Sequence, residues 1–324
     1  MSREIRRVLV IKLSALGDFV LALAAMKRIR EAHPRAHVTL LTTPPFEALA
    51  RACPYFDEVE TDGKPDGPGG WLALRRRLKA ARYDRVYDLQ TSAASERIFH
   101  LLRPFPPEWS GIAFGCALPH RTPGKDQMHT LERQADQLKS AGIWPDAQTS
   151  PLSAPPPDLS WIGAAAATDG RRRAEKPYIL LIPGGSAHRL DKRWPADAYG
   201  RLARRMHDRG FDVIVIGGPQ ESALGREIQK HLPQARDLTG RTDFATVARL
   251  GAGAALVVGN DTGPLHLAAA AGAPTVVLFS KASDPTLSAP RGHVIVVQAD
   301  DLAGLDAAMV EQAADRLLPP QGSA

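Results

Sequence analysis

The stretch from residue 255 to residue 279 places the strongest constraint on how this chain can fold. It begins with an apolar, β-branched run, Ala255 to Gly259, of the length of a buried strand. Turn and helix-capping residues follow, and Pro264 suits the first helical position, where its missing N–H costs nothing. The Ala-rich run after it predicts a short helix ended by Gly272, and Pro274 to Phe279 predicts the next buried strand. The stretch is therefore predicted to be a βαβ unit of a parallel sheet.

The turn of this unit, Asn260-Asp261-Thr262-Gly263, is a candidate anion site. Free backbone N–H groups and the positive end of the helix dipole would meet there at the carboxyl edge of the sheet. Such a turn suits a phosphate or a pyrophosphate. Taken by itself, it is equally compatible with an ordinary connection between a strand and a helix.

Alternating strands and helices divide the 324-residue chain into two α/β halves, each predicted to be a Rossmann-like, doubly wound parallel sheet. We assign residues 1–150 to an N-terminal domain and residues 178–324 to a C-terminal domain with a terminal helix. Residues 151–177, where proline and arginine runs bracket an Ala-rich piece, form the predicted linker. Two such domains are expected to face a central cleft at the carboxyl ends of their strands, where ligands bind. The predicted helices include a long one ending near Ala32, a basic one over Trp71–Arg82 and the terminal one over Leu302–Leu318.

The composition indicates a globular chain with an anionic partner. Hydrophobic residues make up 44% and charged residues 23%, and no apolar run approaches the roughly 20 residues of a membrane helix. Without a signal peptide or metal-ligand spacing at Cys53 and Cys116, a reduced, cytoplasmic chain is expected. The net charge of +6 fits a nucleotide, an acidic glycolipid or a membrane surface. Nucleic acid is disfavoured because no recognition-helix or RNA-binding signature is present.

Two charged residues flank the first predicted turn between a strand and a helix. Lys12 comes just before this turn, and Asp18 directly after it, where a helix dipole would keep the carboxylate ionised. Asp18 is either a functional carboxylate or a plain N-cap. Lys12 either orients Asp18 or a substrate anion, or simply occupies the strand end.

The second half has its own candidate residues at strand ends. The two glycines of Pro183-Gly184-Gly185-Ser186 allow a ligand to approach the backbone closely. Lys192, in a basic loop, is either a phosphate clamp or a solvated lysine. Glu221 follows another strand, in a position that suits ribose hydroxyls. His266, one turn into the central helix, is either a ligand contact or a satisfied core histidine.

Other patterns narrow the choice of function. No G-x-G-x-x-G opens either half, which disfavours a dehydrogenase, and Walker A, G-x-S-x-G and H-E-x-x-H motifs are also missing. No Asp-x-Asp motif is present, so an obligatory divalent cation is not expected. The basic helix Trp71–Arg82 fits either peripheral docking on an anionic inner membrane or an ordinary solvated face.

Taken together and in order, these pieces resemble glycosyltransferase family 9, the bacterial heptosyltransferases that build the inner core of lipopolysaccharide. The resemblance covers most of the chain. It rests on Lys12 with Leu16-Gly17-Asp18, Asp88-Leu89-Gln90, Pro183-Gly184-Gly185-Ser186, Asp191-Lys192-Arg193-Trp194-Pro195, Gly217-Gly218-Pro219, Leu238-Thr239-Gly240, and Asn260-Asp261-Thr262-Gly263-Pro264 with His266. One departure is Thr91, which stands where family members often have glycine.

The resemblance implies a GT-B fold and a metal-independent, inverting transfer that needs no cofactor. The donor would be ADP-heptose, bound by the C-terminal domain, and the acceptor a hydroxyl of Kdo or heptose on a lipid-anchored lipopolysaccharide precursor, bound by the N-terminal domain. By position, Asp18 would be the catalytic base, and Lys12 would lie on the acceptor side. The expected contacts to the donor phosphates are Lys192, Ser186, Thr262, Gly263, Pro264 and Leu265, and those to the nucleotide or sugar are Glu221, Asp261 and His266.

Two other functions fit the same pattern. A GT-B relative such as a nucleotide-sugar epimerase would use the same donor half without a second hydroxyl substrate. A catalytically idle module that binds nucleotide sugars would need only the donor half.

Overall fold

The computed structural model describes residues 4–144, 154–162, 176–185 and 189–318. The chain divides into two compact units, Met1–Pro157 and Asp158–Ala324. The division falls inside the predicted linker 151–177, most of which lies outside the described residues. In the described part of the chain, no helix is both long and apolar enough to cross a bilayer.

The first unit contains a six-stranded sheet in which all described pairings are parallel, in the order β3-β2-β1-β4-β5-β6. The strands are β1 Arg7–Ile11, β2 His37–Leu41, β3 Glu58–Glu60, β4 Arg85–Asp88, β5 Glu108–Gly111 and β6 Leu118–Pro119. The helices are Leu16–Leu21, Leu23–Ala32, Glu47–Ala52, Gly67–Ala81, Ala93–Leu101 and Thr130–Ser140.

The sheet of the first unit is covered on both faces, as an all-parallel sheet requires. Residues Val8 to Ile11 of β1 are fully buried, and Ile11 is in register with Leu41 of β2 and Asp88 of β4. This register brings the ends of β1 and β4 together, so Lys12 and Asp88 lie at the same edge of the sheet.

Two helix predictions in this unit were wrong in detail. The long helix is interrupted at Ala22, whose ψ of −12° departs from the helical value near −42°, so that one helix ends at Leu21 and another begins at Leu23. The basic helix begins four residues before the predicted Trp71, at Gly67, with a proline in its first turn. It ends at Ala81 because Arg82 adopts the left-handed conformation of a helix C-terminus.

The second unit contains another six-stranded parallel sheet, in the order β12-β11-β10-β7-β8-β9. The strands are β7 Tyr178–Ile182, β8 Asp212–Val215, β9 Arg236–Asp237, β10 Leu256–Asn260, β11 Thr275–Ser280 and β12 Val294–Ala299. The helices are Ala196–Asp208, Ser222–His231, Phe244–Gly253, Gly263–Ala270, Pro285–Ser288 and Ala307–Asp315.

The predicted βαβ unit at the centre of this sheet is confirmed, with β10 between β7 and β11. The helix begins one residue earlier than expected, because Thr262 takes the extended N-cap conformation and Pro264 therefore occupies the second helical position. The terminal helix is shorter than Leu302–Leu318: the Asp306 side chain caps a new helix at Ala307.

Candidate functional site

A pocket of about 290 Å³ lies at the carboxyl ends of the strands of the second unit. Its lining is Ile182, Gly184, Gly185, Gly217, Glu221, Asp261, Thr262, Gly263 and Pro264. Glu221 was predicted from one motif and the residues from Asp261 to Pro264 from another. The structure brings the two sets together in this pocket. The predicted Ser186 lies outside the described residues.

The helix Gly263–Ala270 points its N-terminus into this pocket. The amides of Thr262 and Gly263 have no hydrogen-bond partner among the described residues, and the buried Thr262 hydroxyl has none either. Leu265 was predicted to contribute its amide, but that amide donates to the Thr262 carbonyl at 3.1 Å and its side chain is fully buried. The donors left for an anion are therefore the Thr262 and Gly263 amides and the Thr262 hydroxyl.

The predicted phosphate ligand Lys192 is bound to a carboxylate beside the pocket. Lys192 Nζ lies 3.1 Å from Asp261 Oδ2, and the Ser283 hydroxyl donates to the same oxygen at 3.0 Å. His266 Nε2 lies 3.5 Å from the other oxygen, Oδ1. Burial acts to raise the pKa of the Asp261 carboxyl, but the His266 hydrogen bond and the charges of His266 and Lys192 outweigh it and lower the pKa. Asp261 therefore remains an anion that holds one cation at the rim of the site.

Glu221 has a structural role that the sequence did not reveal. Its two carboxylate oxygens accept hydrogen bonds from the amides of Gly185 and Gly218, each at 2.7 Å. Any side chain at Gly184 would overlap this carboxylate, which explains why the loop needs glycine there. Glu221 thus fixes two glycine loops against each other while lining the pocket.

Asn260, which the sequence placed in the candidate turn but to which it gave no role of its own, holds the loops around the pocket together. Its fully buried side chain donates through Nδ2 to the carbonyls of Pro183 at 2.9 Å and Gly184 at 3.1 Å. Its Oδ1 accepts from the Trp194 amide at 3.0 Å and the Tyr199 hydroxyl at 3.1 Å. An asparagine at the end of a buried strand was the only sequence signal, and its partners lie more than sixty residues away.

In the first unit, Lys12 and Asp88 are buried at the carboxyl edge of the sheet. Lys12 Nζ donates to the Leu89 carbonyl at 3.3 Å. Burial lowers the pKa of Lys12, and the negative charges of Asp18 and Asp88 partly oppose this effect. Lys12 is therefore an internal group of this unit rather than a solvated strand end.

Asp88 is fully buried, and burial raises its pKa to about 6. Its Oδ1 accepts from the amides of Gln90 at 3.0 Å and Thr91 at 2.9 Å, whereas Oδ2 has no hydrogen-bond partner in the described part of the chain. Because ionisation leaves Oδ2 charged and unsolvated, Asp88 keeps its proton to a higher pH than an ordinary aspartate does. Sequence reasoning quoted Asp88 as part of a motif but gave it no role.

Asp18 is the third residue of the helix Leu16–Leu21, and its Oδ2 lies 3.4 Å from the Ala15 amide. Since this weak contact is the only hydrogen bond of the half-buried carboxylate within the described residues, Asp18 can still accept from another partner. Thr91 adopts a φ of 44°, in the left-handed region that β-branched residues avoid. The departure from the family's usual glycine therefore falls at a position where the backbone favours glycine, and the bond to Asp88 holds Thr91 there.

Two parallel, Rossmann-like sheets, one in each unit of this chain, are the architecture of the GT-B class of proteins. The fold is similar to the glycosyl transferase family 9 structure from Veillonella parvula DSM 2008, with a TM-score of 0.78, 20% identity and coverage of 97% of this chain and 98% of that one. It is equally similar, with a TM-score of 0.78, to E. coli ADP-heptose lps heptosyltransferase II, at 23% identity over 96% of this chain and 98% of that one. The predicted GT-B fold class is therefore confirmed.

The model of glycosyltransferase family 9 (heptosyltransferase) matches residues 71–302, and the chain belongs to this family. It is similar to lipopolysaccharide heptosyltransferase 2 of Salmonella typhimurium, at 27% identity over 89% of this chain and 86% of that protein. It is also similar to the Escherichia coli protein of the same description, at 28% identity over the same shares. The predictions of this family and of a glycosyltransferase are confirmed, and neither the epimerase nor the idle binding module is favoured.

Proposed function

We propose that this enzyme transfers heptose from ADP-heptose to a hydroxyl of the inner core of a lipopolysaccharide precursor, with inversion and without a metal. Support comes from the lipopolysaccharide heptosyltransferases to which the chain is similar along most of its length. The observation that carries the proposal is a pocket at which the helix Gly263–Ala270 begins, with Lys192 bound to the lining residue Asp261. This arrangement places free backbone amides and one lysine ammonium where a nucleoside diphosphate would leave.

The leaving ADP gains negative charge as its bond to the sugar breaks. The amides of Thr262 and Gly263 and the positive end of the helix dipole would stabilise that charge on the phosphates. The Lys192 ammonium would exchange its Asp261 partner for a phosphate oxygen, a short movement for a lysine side chain. These groups would supply the charge that a divalent cation supplies in metal-dependent transferases.

In the proposed reaction, Asp18 removes the proton from the acceptor hydroxyl as its oxygen attacks the anomeric carbon. The new glycosidic bond forms on the face opposite the departing diphosphate, which gives inversion. A carboxylate is a weak base at neutral pH, so positioning of the two substrates and stabilisation of the leaving group must supply most of the acceleration.

The donor and the need for a metal are tested together. Purified protein is screened by thermal shift against ADP-, UDP- and GDP-sugars, and the stabilising donors are then incubated with truncated lipopolysaccharide in the presence of EDTA. We expect ADP-heptose to stabilise the protein and to yield a heptosylated product. A preference for another nucleotide, or loss of activity that only a divalent cation restores, would contradict the corresponding part of the proposal.

A second incubation separates transfer from isomerisation. With ADP-heptose and no acceptor, a transferase leaves the sugar unchanged apart from slow hydrolysis, whereas an epimerase converts it into an isomer.

Because the proposed acceptor is anchored in lipid, we also propose that the enzyme works at the cytoplasmic face of the inner membrane, in peripheral contact with anionic lipids.

A further inference from the structure

We propose that one face of the first unit docks on an anionic phospholipid bilayer. This face, called the docking face below, carries the helices Gly67–Ala81 and Ala93–Leu101 and the loops that contain Phe105 and Phe114. The inference rests on the proposed function because a lipid-anchored acceptor gives the enzyme a reason to reach a membrane. It assigns that contact to particular residues.

Two aromatic side chains project from the docking face into solvent. Phe105 is 88% exposed and Phe114 is 81% exposed, more than any other large hydrophobic residue in the described part of the chain. They belong to neighbouring loops, because Arg103 donates through Nη2 to the Phe114 carbonyl at 3.1 Å. Aromatic side chains left in water at adjacent positions indicate a surface that meets an apolar partner.

The docking face also carries exposed cations without acidic partners in the described part of the chain. Arg76, Lys79 and Arg82 are exposed, and none of them forms an ion pair within the described ranges. Arg103 is also exposed, but it donates to the Phe114 carbonyl and lies over the Phe99 ring. Lys79, Arg82 and Phe105 also line one cavity of about 720 Å³, which places charge and aromatic surface side by side.

The structure also separates the cations that can bind a partner from those that hold the fold. Arg75 donates through Nε to the Leu101 carbonyl at 3.0 Å, and Arg77 pairs with Glu60 and Asp62. Two of the three consecutive arginines of the basic helix therefore stabilise the fold through bonds to neighbouring elements. The cations of this helix that are available to a partner are therefore fewer than the sequence suggests.

Acidic groups near the docking face do not cancel its charge. Glu108 borders the cavity but is bound by Arg85, with a distance of 2.6 Å between Nη2 and Oε2. Asp84 accepts the amides of Arg6 and Arg7 at 2.9 and 3.0 Å. Glu96 is half-buried on the helix Ala93–Leu101. The remaining excess of positive charge complements anionic lipid headgroups.

The combination of aromatic rings and cations fits the boundary of a bilayer better than a purely polar or purely apolar partner. Rings insert at the level of the headgroups while nearby cations contact lipid phosphates.

The test measures binding of the full chain to phosphatidylcholine vesicles with and without phosphatidylglycerol, in the absence of any sugar substrate. We expect binding to need phosphatidylglycerol and to weaken as salt is raised. The double variant Phe105→Ser/Phe114→Ser should bind about tenfold more weakly or worse, because two aromatic side chains no longer leave water. Arg76→Glu/Lys79→Glu should also lose about tenfold and should become less sensitive to salt.

Matched variants on the second unit serve as controls. Met309→Ser removes a side chain that is 57% exposed, and Arg226→Glu/Arg316→Glu makes the same charge change on exposed arginines. Both controls should bind vesicles like the unaltered protein. The proposal would be overturned if the Phe105/Phe114 and Arg76/Lys79 variants bound vesicles as tightly as the unaltered protein, or if binding did not depend on phosphatidylglycerol. Either result would indicate a protein partner for this face instead.

A second assay keeps this proposal distinct from the proposed function. Heptose transfer to a water-soluble, delipidated core fragment needs no membrane, so all of these variants should transfer normally to it. If the unaltered enzyme fails in this assay but binds the vesicles as described, the proposed function fails and the docking face stands. The charge variant, which alters only exposed side chains, tests the docking face even if the phenylalanine variant unfolds.

Discussion

Lys192 Nζ lies 3.1 Å from Asp261 Oδ2, so the cation expected to hold the donor phosphates already has an anionic partner. Ser283 donates to the same oxygen at 3.0 Å, and Asp261 therefore keeps a hydrogen bond when Lys192 moves away. A diphosphate must compete with Asp261 for Lys192, which makes the ion pair part of the energetics of donor binding. Substitutions at Lys192 and Gly184 test this site, and substitutions at Asp18 and Asp88 test the first unit.

Lys192→Met should lower kcat/KM for the donor by about 10² to 10³, the range found when one preorganised charge or donor at a developing anion is removed. The reason is that Lys192 is the only lysine or arginine in the described part of the chain that forms an ion pair with Asp261, whereas the helix amides remain. Steady-state kinetics with varied ADP-heptose provides the measurement. Lys230→Met, at an exposed lysine paired with Glu227, is the control and should behave like the unaltered enzyme. Unchanged donor kinetics in Lys192→Met would remove the phosphate role from this residue.

Asp18→Asn should reduce kcat by about 10² to 10⁴ while leaving ADP binding and folding intact. An asparagine oxygen can still accept the long contact from Ala15, so little structure is lost. Product formation at saturating donor and acceptor gives the effect, and circular dichroism checks the fold. Asp66→Asn changes an exposed aspartate whose side chain caps nothing, and it should leave kcat unaltered. Transfer at the normal rate by a folded Asp18→Asn protein would rule out the base assignment.

Gly184→Ala should destabilise the protein by about 1 to 3 kcal/mol, the usual cost of forcing an extra carbon into a packed site. The added Cβ would overlap the Glu221 carboxylate and displace it from the Gly185 and Gly218 amides. Urea unfolding gives the stability, and ADP-induced thermal shift should fall as the pocket is distorted. Gly304→Ala, where no atom lies within 4 Å of the new carbon, is the matched control. Equal stability of the two variants would show that the loop adjusts without cost.

The buried Asp88 predicts a pH dependence of stability with a definite sign. Its pKa is raised from 3.8 to about 6, so the folded protein binds the proton of this carboxyl more tightly than the unfolded chain does. The cost of an ionised Asp88 is absent below about pH 4, grows from pH 4 to 6 and is complete above pH 6, where it reaches about 3 kcal/mol. Asp88→Asn cannot ionise and can still accept the Gln90 and Thr91 amides.

The free energy of unfolding of Asp88→Asn, relative to that of the unaltered protein, should therefore rise by about 3 kcal/mol between pH 4 and pH 7. Urea titrations of both proteins at one-unit pH intervals give this difference. A constant difference across the range would mean that Asp88 titrates near its ordinary value and is not desolvated.

Local sequence patterns predicted the strands and the anion-binding turn because these features depend on neighbours in the chain. Apolar runs such as Val8 to Ile11 and Leu256 to Val258 are buried strands in both units. The residues from Asp261 to Pro264, which are predicted to contact the donor, share one short turn, and their grouping follows from the βαβ unit.

The features that the sequence did not predict depend on tertiary partners. Asn260 and Ser283 acquire their roles only when loops distant in the chain meet them. Arg75 and Arg77 belong to a basic run, yet their contacts with Leu101, Glu60 and Asp62 set them apart from Arg76. Burial, rather than any motif, distinguishes Lys12 and Asp88 from surface charges.

The Asn260 amide group uses both its donor and its acceptor atoms twice, on four different residues. The loop after β7, the segment that leads into the helix Ala196–Asp208 and the turn after β10 therefore cannot shift independently of one another. If a single loop were grafted to retarget the enzyme to another nucleotide sugar, polar atoms of Asn260 would be left buried without hydrogen-bond partners. Successful grafts would have to exchange all three segments as one module.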